Sequence, residues 1–150
     1  MKPIELATPI KVWYKALPKF PKIIWPIIDV GLAFKNKSLQ QPVLSLVDSG
    51  ANFSILHPEV AEILGFDLKK LGEPKLPGFS VSGLYKSWVL PEPIGVEIYG
   101  YNFNFRFSVI DNPNLIWGCI LGEDSIFEVA RLDFQKFKDH FEIRFRKDLN

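Results

Sequence analysis

The sequence predicts a mainly β domain, closed and barrel-like, with two short helices. Three observations carry this. Segments rich in β-branched and aromatic residues recur along the chain and are separated by short polar turns. In Phe103-Asn-Phe-Arg-Phe-Ser-Val109, apolar residues occupy every second position, the period of a half-buried strand. Helical spacing is confined to two short stretches, after His57 and after Gly122.

Taken in order, the first 22 residues are broken by Pro3, Pro9, Pro18 and Pro21 and form an irregular arm, with one short strand at Ile10–Tyr14. Residues 23–34 form a strand in which Pro26 marks an edge or a bulge. Lys35–Ser38 is a polar hairpin turn, and Gln41–Val47 is the returning strand. Ser54 and Ile55 begin another short strand. Pro58 and Glu59 open a helix on which Val60, Ile63 and Leu64 fall on one face and which stops at Gly65; His57 belongs to its cap region. Residues 67–77 are polar and broken by Pro and Gly. The glycines at 78 and 83 frame a mobile β-hairpin. Ile94–Tyr99 and Phe103–Ile110 form a hairpin around Gly100-Tyr-Asn. After the loop Asp111–Asn114, Leu115–Leu121 is a second core strand. Glu123–Ala130 is a short helix with acids at its start. Arg131–Gln135 and His140–Arg146 close the chain as a hairpin.

Composition bounds the function. With 150 residues, 47% of them apolar, the chain can bury a single sizeable core and is not of disordered type. A net charge of +1 gives no field that would select nucleic acid or an anionic membrane as a partner. No apolar run reaches the roughly 18 residues of a membrane span, and the N-terminus carries no signal-peptide core. The single Cys119 forms no internal disulfide, which fits a reducing compartment and a cytoplasmic location. Two histidines and one cysteine do not make a standard zinc site, so neither metal nor cofactor is expected. Gly78-Phe-Ser-Val-Ser-Gly83 lacks the spacing of a nucleophile elbow, and there is no phosphate loop.

The stretch that carries chemistry is Leu44-Ser-Leu-Val-Asp48-Ser49-Gly50-Ala51. An apolar strand ends there in a carboxylate, a hydroxyl and a glycine whose backbone is free to turn and to be approached closely. Alone, the tripeptide reads as an ordinary turn. Cys119-Ile120-Leu121-Gly122 is a second apolar strand running into glycine.

In this order the elements resemble a single-domain, retroviral-type (retropepsin-like) aspartic protease of the kind found in prokaryotes. Val47-Asp48-Ser49-Gly50-Ala51 is similar to the catalytic loop. Ser80, Val81, Ser82 and Gly83 stand where the family has its flap, and Ile120-Leu121-Gly122 resembles the element that packs under the loop. The match covers residues 23–146, leaving 1–22 as an arm and 147–150 as a tail. Two departures stand out. Viral members often carry Arg after the apolar-apolar-Gly element to brace the loop, and here that place is Glu123, so the bracing differs or is absent. The viral flap is also richer in glycine.

The resemblance implies an acid-protease barrel with one lobe per chain and a cleavage that needs two carboxylates sharing one proton. Since the chain has one Asp-Ser-Gly, it implies a homodimer with one Asp48 from each copy, acting on a peptide or protein substrate. Asp48, Ser49 and Gly50 would be catalytic. Ala51, Ser80, Val81, Ser82 and Gly83 would bind substrate, and Ile120, Leu121 and Gly122 would support the loop. Tyr85 and Trp88 are open between pocket lining and packing. The terminal strand His140–Arg146, with its alternation of Phe141, Ile143 and Phe145, is the expected dimer contact. Two other readings stay open. One is a catalytically weak or silent homodimeric peptide-binding module; the other is a plain β domain with a turn at Asp48.

Overall fold

The computed structural model describes residues 2–80 and 83–149. Six strands come first: β1 (Ile10–Trp13), β2 (Lys15–Leu17), β3 (Phe20–Trp25), β4 (Ile27–Phe34), β5 (Lys37–Ser38) and β6 (Val43–Val47). After β7 (Ile55–Leu56) and helix α1 (Pro58–Ile63) come β8 (Lys75–Ser80), β9 (Gly83–Val89), β10 (Ile94–Ile98), β11 (Tyr101–Phe105), β12 (Ser108–Ile110) and β13 (Cys119–Leu121). The single-turn helix α2 (Ile126–Val129) leads into the hairpin of β14 (Ala130–Gln135) and β15 (His140–Phe145). The chain is therefore mostly strand with two short helices, as its patterning predicts.

Proline and strand length decide where the predicted elements divide. Pro26 splits the apolar stretch 23–34 into β3 and β4, which pair with different strands. Having no N–H, it gives the ladder only its carbonyl, which accepts from the Val47 N–H at 3.0 Å. The predicted strand 103–110 is likewise two strands, β11 and β12, separated at Arg106-Phe107. Its side-chain alternation survives the break, since Phe103, Phe105, Phe107 and Val109 are all buried. The β10–β11 turn places Tyr99 and Gly100 both at positive φ, the geometry that matches strand twist in a two-residue hairpin. Of the strand predicted at 115–121, only Cys119–Leu121 is strand.

The main sheet runs β11-β10-β4-β6-β13-β7-β12-β9-β8, with β5 beside β4. It is an open path: among the described residues no ladder joins β11 to β8, so the closed barrel is not the observed arrangement. Parallel pairing of β6 with β13, and of β7 with β12, brings distant segments into the middle of this sheet. A second sheet, β1-β15-β14, packs Phe141, Ile143 and Phe145, each 0% exposed, into the main core.

This second sheet corrects one expectation. The alternation of Phe141, Ile143 and Phe145 marks the core face of β15, not a dimer surface. Both edges of β15 are taken, by β1 on one side and β14 on the other, so no second copy can add a strand there. The N-terminal residues supply the cover: β1 pairs Ile10 through Trp13 with Ile143 through His140, and the Ala7 N–H donates to the Phe145 carbonyl at 2.7 Å.

Candidate active site

Asp48 stands where β6 leaves the sheet. Inside β6, Ser45 and Val47 are buried, and β13 runs parallel alongside with Cys119, Ile120 and Leu121 opposite Ser45, Leu46 and Val47. The ladder continues one step beyond the strand: the Asp48 N–H donates to the Leu121 carbonyl at 2.9 Å. The chain then turns. The Ala51 N–H donates to the Asp48 carbonyl at 3.2 Å, and the Gly50 N–H donates to Asp48 Oδ1 at 2.9 Å. This Asx-type turn fixes the carboxylate at a half-buried position. Ser49 and Gly50 are exposed at the tip.

Gly122 locks this loop from below. A Cβ built on it would lie 2.3 Å from the Ala51 carbonyl oxygen, which no side chain can occupy. That closeness lets the next N–H, of Glu123, donate to the same Ala51 carbonyl at 2.8 Å. The predicted supports Ile120, Leu121 and Gly122 thus meet the predicted loop Asp48–Ala51 through backbone contact.

The bracing is polar and does not involve the Glu123 side chain. Ser54 Oγ donates to Asp124 Oδ1 at 2.6 Å, and the Ser54 N–H donates to the same oxygen at 2.8 Å. The Gly122 N–H donates to Ser54 Oγ at 3.0 Å, and the Ser125 hydroxyl lies 2.6 Å from it. Because the one proton of Ser54 Oγ goes to the carboxylate, Ser125 is the donor in that last pair. Ser54 and Ser125 are both 0% exposed, so the serine end of the network is shielded from water, while Asp124 is half-buried. It joins the segment after the Asp48–Ala51 loop to the segment after Gly122. Sequence reading passes over Asp124 as an acid without strand context; its partner lies 70 residues away, and no spacing rule connects them.

Beside Asp48 lies an apolar floor. The register places Ile27, Leu46, Ile120 and Ile55 in one row across β4, β6, β13 and β7. The opposite row, Ile28, Ser45, Cys119 and Leu56, belongs to the main core. Leu46 and Asp48 are two residues apart in an extended segment and share a face. Trp117 (8% exposed) and Ile120 (9%) are the buried members of this floor together with Ile27, while Leu44, Leu46, Ala51 and Ile55 are half-buried. Phe53, just past the loop, is 65% exposed. Of these floor residues, Ile27, Ile55 and Trp117 lie outside the quoted motifs.

The β8–β9 hairpin hangs from the same sheet through β12. Its ladder closes on Ser80 opposite Gly83; Val81 and Ser82 lie outside the described residues. Trp88 is tied down, donating Nε1–H to the Gly72 carbonyl at 3.1 Å and lining a small cavity with Leu68, Val109 and Ile110. His57 does what its position predicts: Nδ1 accepts the Glu59 N–H at 3.1 Å and caps α1. Burial pushes the Cys119 thiol up to about 12, so it is not a nucleophile. Among the described residues no group of three or more His, Cys, Asp and Glu is placed to hold a metal ion, and no helix is long and apolar enough to cross a membrane.

No protein-family model matches the chain, and no curated protein does. Solved structures do. A retropepsin-like aspartic protease from Rickettsia conorii superposes with a TM-score of 0.61 at 21% identity, over 88% of this chain and 97% of that one. EIAV protease, in complex with the inhibitor HBY-793, superposes with a TM-score of 0.51 at 22% identity, over 69% of this chain and 86% of that one. The retroviral protease-like domain of Ddi1 from Leishmania major gives 0.46 at 25% identity, over 71% and 80%. The strand that presents Asp48, the glycine strand locked beneath its loop and the likeness to the first two structures together give this chain a retropepsin-like fold.

Proposed function

We propose that the chain is an aspartic endopeptidase that works as a symmetric homodimer, one lobe per chain, with an Asp48 from each copy at the shared site. The observation that carries this reading is the presentation of Asp48. It is half-buried at a strand end, held by the Leu121 carbonyl, the Gly50 N–H and the glycine lock, with an apolar floor beside it. Such a carboxylate is rigid, reachable and desolvated on one side.

Two such groups close together cannot both ionise, so the pair holds one proton. The ionised Asp48 takes a proton from a water as its oxygen attacks the scissile carbonyl carbon. The protonated Asp48 of the other copy hydrogen-bonds the carbonyl oxygen and gives up its proton as charge develops there. Proton return to the amide nitrogen then lets the C–N bond break. Ser49 and Gly50 at the loop tip, with Ala51, would meet their counterparts across the two-fold axis. Residues 80–83 would act as a flap that lies over the peptide and excludes water. The assignment covers residues 23–146, with 147–150 as a tail; of residues 1–22, read from sequence as an arm, β1 pairs with β15 and Ala7 and Val12 join the same core. A peptide or protein chain is the substrate, and a reducing, cytoplasmic setting fits the buried lone thiol of Cys119.

The test is cleavage of a mixed peptide library from about pH 3 to 7 by wild type and Asp48→Asn. Acid-side activity abolished by that substitution supports the reading. A folded wild type that binds peptides without cutting them would instead fit the silent binding module. Cleavage that survives Asp48→Asn would remove Asp48 from the chemistry.

A further inference from the structure

The β2–β3 hairpin is a two-stranded sheet of its own, apart from both larger sheets. Its ion pair, Lys15 Nζ to Asp29 Oδ1 at 3.1 Å, is largely exposed and holds it weakly. What seats it is apolar: Leu17 and Trp25 pack against the floor of Ile27, Trp117 and Ile120. Trp25 meets Trp117 edge to face, centroids 5.2 Å apart at 83°. Phe20, at the other end of β3, meets Trp25 at 6.2 Å.

The register says where this puts Trp25. The antiparallel β4–β6 ladder pairs Val30 with Val43 and steps to Ile27 with Leu46; the next step is the bond from the Val47 N–H to the Pro26 carbonyl. Trp25 precedes Pro26 in the chain, so it lies next to the residue bonded to Val47, the neighbour of Asp48, although its own ladder partner is Lys15. Beside Asp48 the parallel β6–β13 ladder, continued by one step, sets Gly122. Asp48 thus has beside it a position that can carry no side chain, and the apolar cluster next to it includes the indole of Trp25 with Leu46 and Ala51.

We propose that Trp25 is a specificity-determining residue: with Trp117 it walls one end of the apolar floor and limits the side chain a peptide can place beside the cleaved bond. This rests on the reading of the chain as an aspartic endopeptidase. The substrate class follows from the floor. Leu46 and Ile55 are half-buried and free of charge, so they accept an apolar side chain. The indole closes the end toward Ile27, so small and β-branched residues fit and large aromatic ones do not.

The experiment compares wild type, Trp25→Ala and Trp25→Phe on peptides differing in one residue beside the bond, Ala, Val, Leu or Phe. In parallel, the binding of the same uncut peptides is measured to Asp48→Asn with and without Trp25→Ala. Removing the indole should raise kcat/KM for Phe over Val peptides at least about 10-fold, within the range one pocket contact supplies, chiefly through KM. Trp25→Phe should fall between and guards against a folding defect in the Ala variant. Folded variants with the wild-type preference, in cleavage and in binding, would overturn the proposal. If nothing is cleaved but the binding preference shifts as stated, the wall stands and the enzyme reading fails. If no peptide is bound or cut, both fail.

Discussion

Removing the Ser54 hydroxyl tests whether the Ser54–Asp124–Ser125 network braces the Asp48–Ala51 loop. Ser54→Ala deletes one hydroxyl from a site that is 0% exposed and adds no bulk. Three contacts go with it: the 2.6 Å bond to Asp124 Oδ1, the 3.0 Å bond from the Gly122 N–H and the 2.6 Å bond from Ser125. A bond to a charged group contributes about 1.5–3 kcal/mol, and a buried N–H left without a partner costs about 1–3 kcal/mol. Asp124 keeps the Ser54 N–H at 2.8 Å, which offsets part of the loss. The expected destabilisation is about 3 kcal/mol. With a slope near 2 kcal/mol per molar urea, the unfolding midpoint should fall by about 1.5 M. Urea unfolding followed by tryptophan fluorescence reads this directly, since the chain has four tryptophans. Ser49→Ala, at the exposed loop tip, is the control and should change stability by under about 0.5 kcal/mol. A double-mutant cycle with Asp124→Ala should show coupling above about 1 kcal/mol. A loss below about 1 kcal/mol for Ser54→Ala, with no coupling to Asp124, would refute the network as a brace.

Gly122→Ala forces a methyl to within 2.3 Å of the Ala51 carbonyl oxygen, so the loop and β13 must separate; a loss of several kcal/mol, or no folded protein, should follow in thermal melts. Cys119 should be unreactive toward thiol reagents in the folded protein and react fully in urea. Burial raises its folded-state pKa to about 12 from the ordinary 9.0, so between these values the unfolded chain binds fewer protons and stability falls as pH rises. At pH 10 the loss is about 1.4 kcal/mol relative to neutral pH, and Cys119→Ala should abolish this part of the slope in urea titrations. Ile143→Ala, in the core face of β15, should cost about 2–5 kcal/mol without changing the subunit count by ultracentrifugation, because β15 faces inward.

The site's frame was legible because its signals are local. A strand that ends in Asp48-Ser49-Gly50, and a second that ends in Gly122, each announce themselves within a few residues, and Pro58 marks the helix that His57 caps. What escaped reading was set by contacts distant in sequence. Ser54 and Asp124 meet across 70 residues. The alternation of Phe141, Ile143 and Phe145 shows that one face of β15 is buried, but not against what. The answer is the main core, with β1 and β14 on the strand's edges. Trp25 falls in a stretch that reads as one strand, and only the tertiary packing brings it into the apolar cluster with Leu46, Ala51 and Trp117. Strand counting suggests closure, yet closure depends on the two end strands meeting, which no local pattern encodes.

The central claim is that one active site takes an Asp48 from each of two chains. Mixing wild type with Asp48→Asn at constant total concentration, and allowing the chains to exchange, tests it most directly. If both carboxylates are needed, activity follows the square of the wild-type fraction, and an equal mixture retains about a quarter of the rate. Activity that falls only in proportion, to about half, would mean that each chain works alone, and would contradict the account.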